Sequence, residues 1–343
     1  MHNALIDRSV DAFGAIRKHV SFSANLRQYM STAQASADDA AAAPVLATEV
    51  LGDAADATSW RIIDHCAAVT RSYAIFESFV LQILREYLSF LSRSYKISSL
   101  GAEFRSKYTK GLGQILLDQD KQRYRNLDIA GLIVAAGDAI GDKAGYQIEP
   151  EALLRSEQNL RMSELQRLFG QCGLLGIEPW ITRHPSIVEF FATQSRLSET
   201  AVSELRQIVD YRNEAAHGDV DDVLGADVLI EFTHFFEALC LSIGDFVRYD
   251  TLRRAKALGS ATVVGVISER FRNDIVVAKV RQATISIGDQ LYIFGKGMAT
   301  LAEIGSLRID NIDTETAKIS DEVEVGLALG VRAKVGCELL RMN

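Results

Sequence analysis

The chain has 343 residues, 48% hydrophobic and 24% charged, enough for two or three domains with real cores. A formal charge of -8 and a pI near 5.4 exclude a protein that holds nucleic acid on a broad basic surface, while leaving room for a locally basic cleft. Cys66, Cys172, Cys240 and Cys337 lie far apart, which excludes a disulfide framework or paired-cysteine zinc site; with no long apolar run or signal peptide, a soluble cytoplasmic protein without metal or cofactor is expected.

Residues 3 to about 32 space Leu5, Val10, Phe13, Ile16 and Val20 as a helix does. An Ala/Ser/Asp tract around Pro44 follows and reads as a linker or exposed arm, so residues 1–58 form a loosely tethered helix or one that docks on a partner. The strongest helix runs from about Ser59 to Ser92. Ile62, Cys66, Val69, Tyr73, Phe76, Val80, Ile83, Tyr87 and Phe90 recur in steps of three and four, the packing seam of a bundle. Glu77 borders that seam, either as a rim carboxylate paired with a neighbouring helix or as a support for an arginine further on.

Basic and aromatic residues then interleave at Arg105, Lys107, Tyr108 and Lys110, and again at Lys121, Arg123, Tyr124 and Arg125. The plain reading is a solvated helix face, diluted by Asp118 and Asp120; the sharper one is a single-stranded RNA surface, with cations for phosphates and rings for bases. The segment from Leu127 to Ile148 contains GDAIGDKAG but lacks the Gly-Lys-Ser/Thr ending of a phosphate loop. Helices are expected over 159–174, from near Ser198, and from Ala226 to Tyr249, with a turn at Asp219, Asp221 and Asp222. These make an all-α bundle over 59–250.

A linker at 251–258 leads to a change of period at Gly259. Residues 259–343 alternate in period two, with turns at Asn273-Asp274, Gly288-Asp289 and Gly295-Lys296-Gly297, and predict a small closed β-barrel. The fold class is thus α then β, in two domains.

Chemistry concentrates in LRQIVDYRNEAAHGDV, Leu205 to Val220. Val202, Leu205, Ile208 and Val209 make an apolar stripe, and Arg212 falls on it. A guanidinium on a packing face must be paired or be reserved for an anionic ligand. His217 follows five residues later, about 140° further round a continuous helix, so a bent helix end is expected if the two are to meet. Gly218 is the helix stop. Neither His65 nor His234 shares metal-ligand spacing with other residues, and both read as packing or interface residues.

The run RN-EAA-HG resembles the R-N-x3-H signature of the HEPN superfamily, helical bundles that include metal-independent ribonucleases of toxin–antitoxin and antiviral systems. YAIFESFVLQIL and NLRMSELQRLFGQCGL are similar to its RiboL-PSP-like branch, and the resemblance covers about 59–250. It implies catalytic roles for Arg212 and His217, with Asn213 as the polar companion, Glu77 in support, and a homodimer that joins two motifs in one composite active site. Histidine can remove or deliver a proton near neutral pH, arginine can hold the phosphate through the transition state, and RNA carries its own nucleophile, the 2′-hydroxyl.

Residues 259–343 resemble the second domain of translational GTPases such as elongation factor Tu, through SIGDQLYIFG, LAEIGSLRID and EVEVGLAL. With ten Lys/Arg against eleven Asp/Glu and no GTPase domain beside it, this part would be an adaptor for tRNA, the ribosome or a protein. Two function classes follow. One is a homodimeric endoribonuclease acting on RNA as a toxin or antiviral effector, restrained by an antitoxin or translation-machinery partner. The other is a catalytically silent helical interaction module whose barrel does the recognising.

Overall fold

The computed structural model describes residues 2–37, 55–156, 158–193, 199–218, 220, 222–271 and 274–343. The tract around Pro44, Ser198, and the expected turn residues Asp219, Asp221 and Asn273 lie outside them. The chain divides into two compact units, residues 1–244 and 245–343.

The first unit is helical. Helix α1 spans Asn3–Ala37 and α2 spans Ala57–Ser94. Asp56 caps α2 by accepting hydrogen bonds from the Thr58 and Ser59 N–H groups at 3.0 Å each; the Ser59 hydroxyl first, and then these N–H groups, hold its carboxyl below the usual carboxylate range. The middle of the seam forms as its spacing requires, with Val69, Tyr73, Phe76, Val80, Ile83 and Tyr87 all buried, while Ile62, Cys66 and Phe90 at its ends are half-buried. Next come α3 (Ala102–Leu117), α4 (Ile129–Ile140), the single turn α5 (Glu151–Leu154), α6 (Met162–Gln171), α7 (Ile177–Arg183), α8 (Pro185–Thr193), α9 (Ala201–His217) and α10 (Ala226–Ala257). Both α1 and α9 pack on α2.

Helix α1 is not loosely tethered. Phe236 of α10 stacks on Phe76 of α2 at 5.0 Å and on Phe13 of α1 at 5.9 Å, tying three helices through aromatic faces. Polar contacts set the alignment: Ser23 donates to Asp64 at 2.6 Å, Trp60 donates to Ser23 at 2.8 Å, Arg27 pairs with Asp64, and Arg17 pairs with Glu237 at 2.7 Å. The rest of the expected arm, the tract around Pro44, lies outside the described residues.

The expected linker at 251–258 is the end of α10, helical through Ala257. Thr251, Leu252 and Ala255 are buried there, so the apolar face continues past the point where the loop was expected. Within the second unit, Tyr249 stacks on Phe294 at 4.8 Å and Arg248 donates to the Ala299 carbonyl at 2.9 Å, which gives these last turns a packing surface.

The strands of the second unit are β1 (Ala261–Arg270), β2 (Ile275–Val280), β3 (Ala283–Ser286), β4 (Gln290–Gly295), β5 (Met298–Glu303), β6 (Ser306–Ile309), β7 (Ile312–Asp313), β8 (Thr316–Ile319), β9 (Val323–Ala328) and β10 (Glu338–Met342). Eight form one antiparallel sheet in the order β5-β4-β10-β1-β2-β9-β6-β7, while β3 and β8 pair separately. The barrel is not closed. No ladder joins β5 to β7, so the sheet keeps two edges. It curves around one core that includes Val264, Ile293, Val325 and Leu339. Register shifts in β1 aid that bend. Gly265 lies at such a shift, where a Cβ would sit 2.6 Å from the Lys279 carbonyl oxygen, so only glycine fits without a backbone move. Period-two alternation specifies an inner and an outer face; it does not specify whether the edge strands meet.

Candidate active site

Helix α9 starts at the N-cap Thr200, whose hydroxyl accepts from the Ser203 N–H at 3.2 Å. Leu205, Ile208 and Val209 are buried as expected, but Val202 is 39% exposed and stands off the stripe. The helix is continuous through His217, and Gly218 closes it at φ +83, donating its N–H to the Glu214 carbonyl at 3.0 Å. The expected bend is absent. Arg212 and His217 therefore diverge by about 140° around one axis and do not converge within a single chain.

Arg212 is half-buried, with its guanidinium 5.2 Å from the centre of the Tyr73 ring. Its Nη1 donates to Asn213 Oδ1 at 3.3 Å, and the same oxygen accepts from Asn159 Nδ2 at 2.8 Å. No carboxylate pairs with Arg212 among the described residues. Asp210, two residues earlier, is taken by Arg161 at 2.6 Å. Glu77 makes no ion pair with Arg212 either. Its charge acts instead on Tyr73, between them in effect: burial first, then Glu77 and Glu164, push the phenol up to about 12, against the Leu160 N–H and the Arg212 charge. The phenol oxygen accepts the buried Leu160 N–H at 2.6 Å.

Tyr73 thus has two tasks, a ring under the cation and an oxygen under a backbone donor. Tyr73→Phe keeps the first and removes the second, so a loss of about 1–3 kcal/mol is expected from the orphaned N–H, read as a lower urea midpoint. An unchanged midpoint would mean that Leu160 finds another acceptor.

His217 is exposed and makes no hydrogen bond or ion pair among the described residues. A cavity of about 370 Å³ is lined by Gln158, Asn159, Arg161 and Ser163, and Asn159 is the residue that donates to Asn213. His65 is buried, its Nδ1 accepting from the Leu224 N–H at 3.2 Å, and burial lowers its pKa against the pull of Asp222. It is a packing residue. His234 sits 3.5 Å from Glu237.

The basic and aromatic stretch does not present rings to solvent. Tyr108 and Tyr124 are buried, and Tyr108 accepts from the Glu149 N–H at 3.0 Å. Arg105, Lys110, Lys121, Arg123 and Arg125 are exposed, as on a solvated face. Several cations are already engaged: Lys107 with Glu103 at 2.7 Å, Lys121 with Asp118 at 3.3 Å, and Arg123 with the Ser156 carbonyl at 3.0 Å. A second cavity, of about 270 Å³, does gather Lys107 and Lys110 with Arg155 and Arg167, but Arg155 pairs with Asp118 and Arg167 with Glu164. Base stacking on Tyr108 or Tyr124 is excluded by their burial.

Sequence reasoning missed Asn159 and the double use of Tyr73. Tyr73 stood in the seam pattern, so its position was readable while its partner was not. Asn159 carried no signal, being 54 positions from Asn213. Among the described residues, no group of three or more His, Cys, Asp or Glu could hold a metal ion, and no helix is long and apolar enough to cross a membrane.

A family model described as RiboL-PSP-HEPN matches residues 50–249. No curated protein matches the chain. One solved structure, the C-terminal domain of a putative U32 peptidase from Geobacillus thermoleovorans, is similar at 14% identity and a TM-score of 0.21, covering 23% of this chain and 98% of that one.

Proposed function

The chain belongs to the RiboL-PSP-HEPN family, and from that premise we propose that it is a metal-independent endoribonuclease. The observation that carries this reading is Arg212: a half-buried guanidinium steadied by an aromatic face and a side-chain amide, with no carboxylate paired to it among the described residues. Such a charge is placed for an anion. Asn213 beside it adds a polar group at the same point.

In the proposed reaction the 2′-oxygen of RNA attacks the adjacent phosphorus while the bond from phosphorus to the 5′-oxygen breaks. A base takes the 2′-hydroxyl proton and an acid returns one to the leaving 5′-oxygen; His217 supplies one of these transfers. Arg212 stabilises the charge that gathers on the phosphoryl oxygens. The products carry a 2′,3′-cyclic phosphate and a 5′-hydroxyl. Because Arg212 and His217 point 140° apart on one helix, the reading requires two copies, each completing the other's site in a homodimer.

The reading extends to a toxin or antiviral role in the cytoplasm, with residues 59–250 as the nuclease. Residues 259–343, like the second domain of elongation factor Tu, would be an adaptor for tRNA, the ribosome or a protein such as an antitoxin. The divergence of Arg212 and His217 in one chain is also what a catalytically silent module would have, so activity decides between the two.

The deciding experiment is cleavage of single-stranded RNA in excess chelator, followed by analysis of the fragment ends. Cyclic phosphate ends are expected, with no cut at a position carrying a 2′-deoxy sugar. Fragments with 3′-hydroxyl ends, or cleavage that stops in chelator, would overturn the proposal.

A further inference from the structure

Resting on the ribonuclease reading, we infer that Asn159 is a positioning residue that turns the Asn213 side-chain amide so that its N–H groups face the scissile phosphate. An amide can present either end, and the choice decides whether it attracts or repels a phosphate oxygen. Here the choice is forced. Arg212 has donors only, so the Asn213 atom facing its Nη1 at 3.3 Å must be the oxygen. The same oxygen faces Asn159 at 2.8 Å, so Asn159 must offer its nitrogen. With both lone-pair directions of Oδ1 engaged, the Asn213 nitrogen is left without a hydrogen bond among the described residues. It becomes the group that can meet a ligand, and it can only donate.

The segment that carries Asn159 is held for this task. Three consecutive residues between α5 and α6 reach back to the site: Asn159 to Asn213 of α9, Leu160 through its N–H to the Tyr73 hydroxyl of α2 at 2.6 Å, and Arg161 to Asp210 of α9 at 2.6 Å. A loop so clamped fixes the amide before any ligand arrives, which is what electrostatic preorganisation requires. Asn159 also lines a cavity of about 370 Å³, so the residue that holds the Asn213 amide itself borders open space.

Asn159→Ala removes the shorter of the two contacts and leaves the amide held by Arg212 at 3.3 Å alone; Asn159→Asp opposes that hold, because a carboxylate accepts only and draws the Asn213 nitrogen toward itself. The test uses full-length protein labelled with 15N at asparagine, the Asn213 side-chain signal being assigned by its loss in Asn213→Ala. In the wild type this signal should shift on addition of inorganic phosphate. In Asn159→Asp it should move in the free protein and no longer respond to phosphate. Kinetically, kcat should fall about ten- to hundredfold in both variants with KM within about twofold, the signature of a misplaced rather than missing contact. A purely structural role would lower the urea midpoint and leave kcat alone. An Asn213 signal and phosphate response unchanged in Asn159→Asp would overturn the inference, whether or not RNA is cut. Absence of RNA cleavage by the wild type would overturn the ribonuclease reading instead, and the amide signal reports separately from it.

Discussion

His217→Ala should lower RNA cleavage about 10²–10⁴-fold, the range for loss of a positioned proton-transfer group. The imidazole ends α9, exposed and without a partner among the described residues, so its removal should leave the fold untouched and the urea midpoint unchanged. Arg212→Ala should cost about 10²–10³-fold through lost charge stabilisation, and Arg212→Lys should recover little, because an ammonium lacks the planar fork of donors that reaches Asn213 and a phosphate together. The geometry adds a sharper test. If each site takes Arg212 from one copy and His217 from the other, each single variant has two broken sites as a homodimer. A mixed dimer of Arg212→Ala and His217→Ala has one broken site and one intact site, and should regain about half of the wild-type rate on the symmetry of a two-fold dimer. No regain on mixing would sink the composite site, and undiminished cleavage by His217→Ala would sink the catalytic assignment itself.

Phe236→Ala should be the most damaging single change to the helical unit, with an expected loss of about 3–5 kcal/mol from transfer and cavity costs combined. The ring is fully buried and stacks on Phe76 at 5.0 Å and Phe13 at 5.9 Å, so its removal opens a hole where α1, α2 and α10 meet. Against a typical net stability of about 5–15 kcal/mol, the helical unit would be close to unfolding at body temperature. Urea denaturation followed by helical circular dichroism should show a lower midpoint with an unchanged slope. A loss under about 1 kcal/mol would mean that the three helices close the gap, as a poorly interlocked core can.

The helix that carries Arg212, Asn213 and His217 is legible because its signals are local: a stripe at helical spacing, an arginine on it, a histidine and a glycine at its end. The helix end itself was misjudged. A bend was expected to bring Arg212 and His217 together, yet Gly218 simply terminates a continuous helix. The burial of Tyr108 and Tyr124 was not legible either. Aromatic residues among lysines and arginines look the same in sequence whether they face bases or the core, and only the helices around them set the direction. Glu77 shows the same limit. Its place beside the seam was readable, but its nearest consequence falls on Tyr73 and not on Arg212.

What the sequence by itself determined is therefore the periodic part: the long helices α1, α2, α9 and α10, the switch to strands after Gly259, and the placement of Arg212 on an apolar face. These follow from spacing along a few turns, which neighbouring residues settle among themselves. What only the tertiary structure decided is the part that depends on meetings between distant segments. The sheet stays open because β5 and β7 do not pair, and no alternation pattern encodes that. Asp210 pairs with Arg161 from another segment, and no carboxylate pairs with Arg212 among the described residues. The Asn213 amide oxygen is held by both Asn159, far away in the chain, and Arg212, next to it. Hydrogen bonds and ion pairs are competitions for a limited number of donors and acceptors, and only the folded chain shows which competitors are within reach.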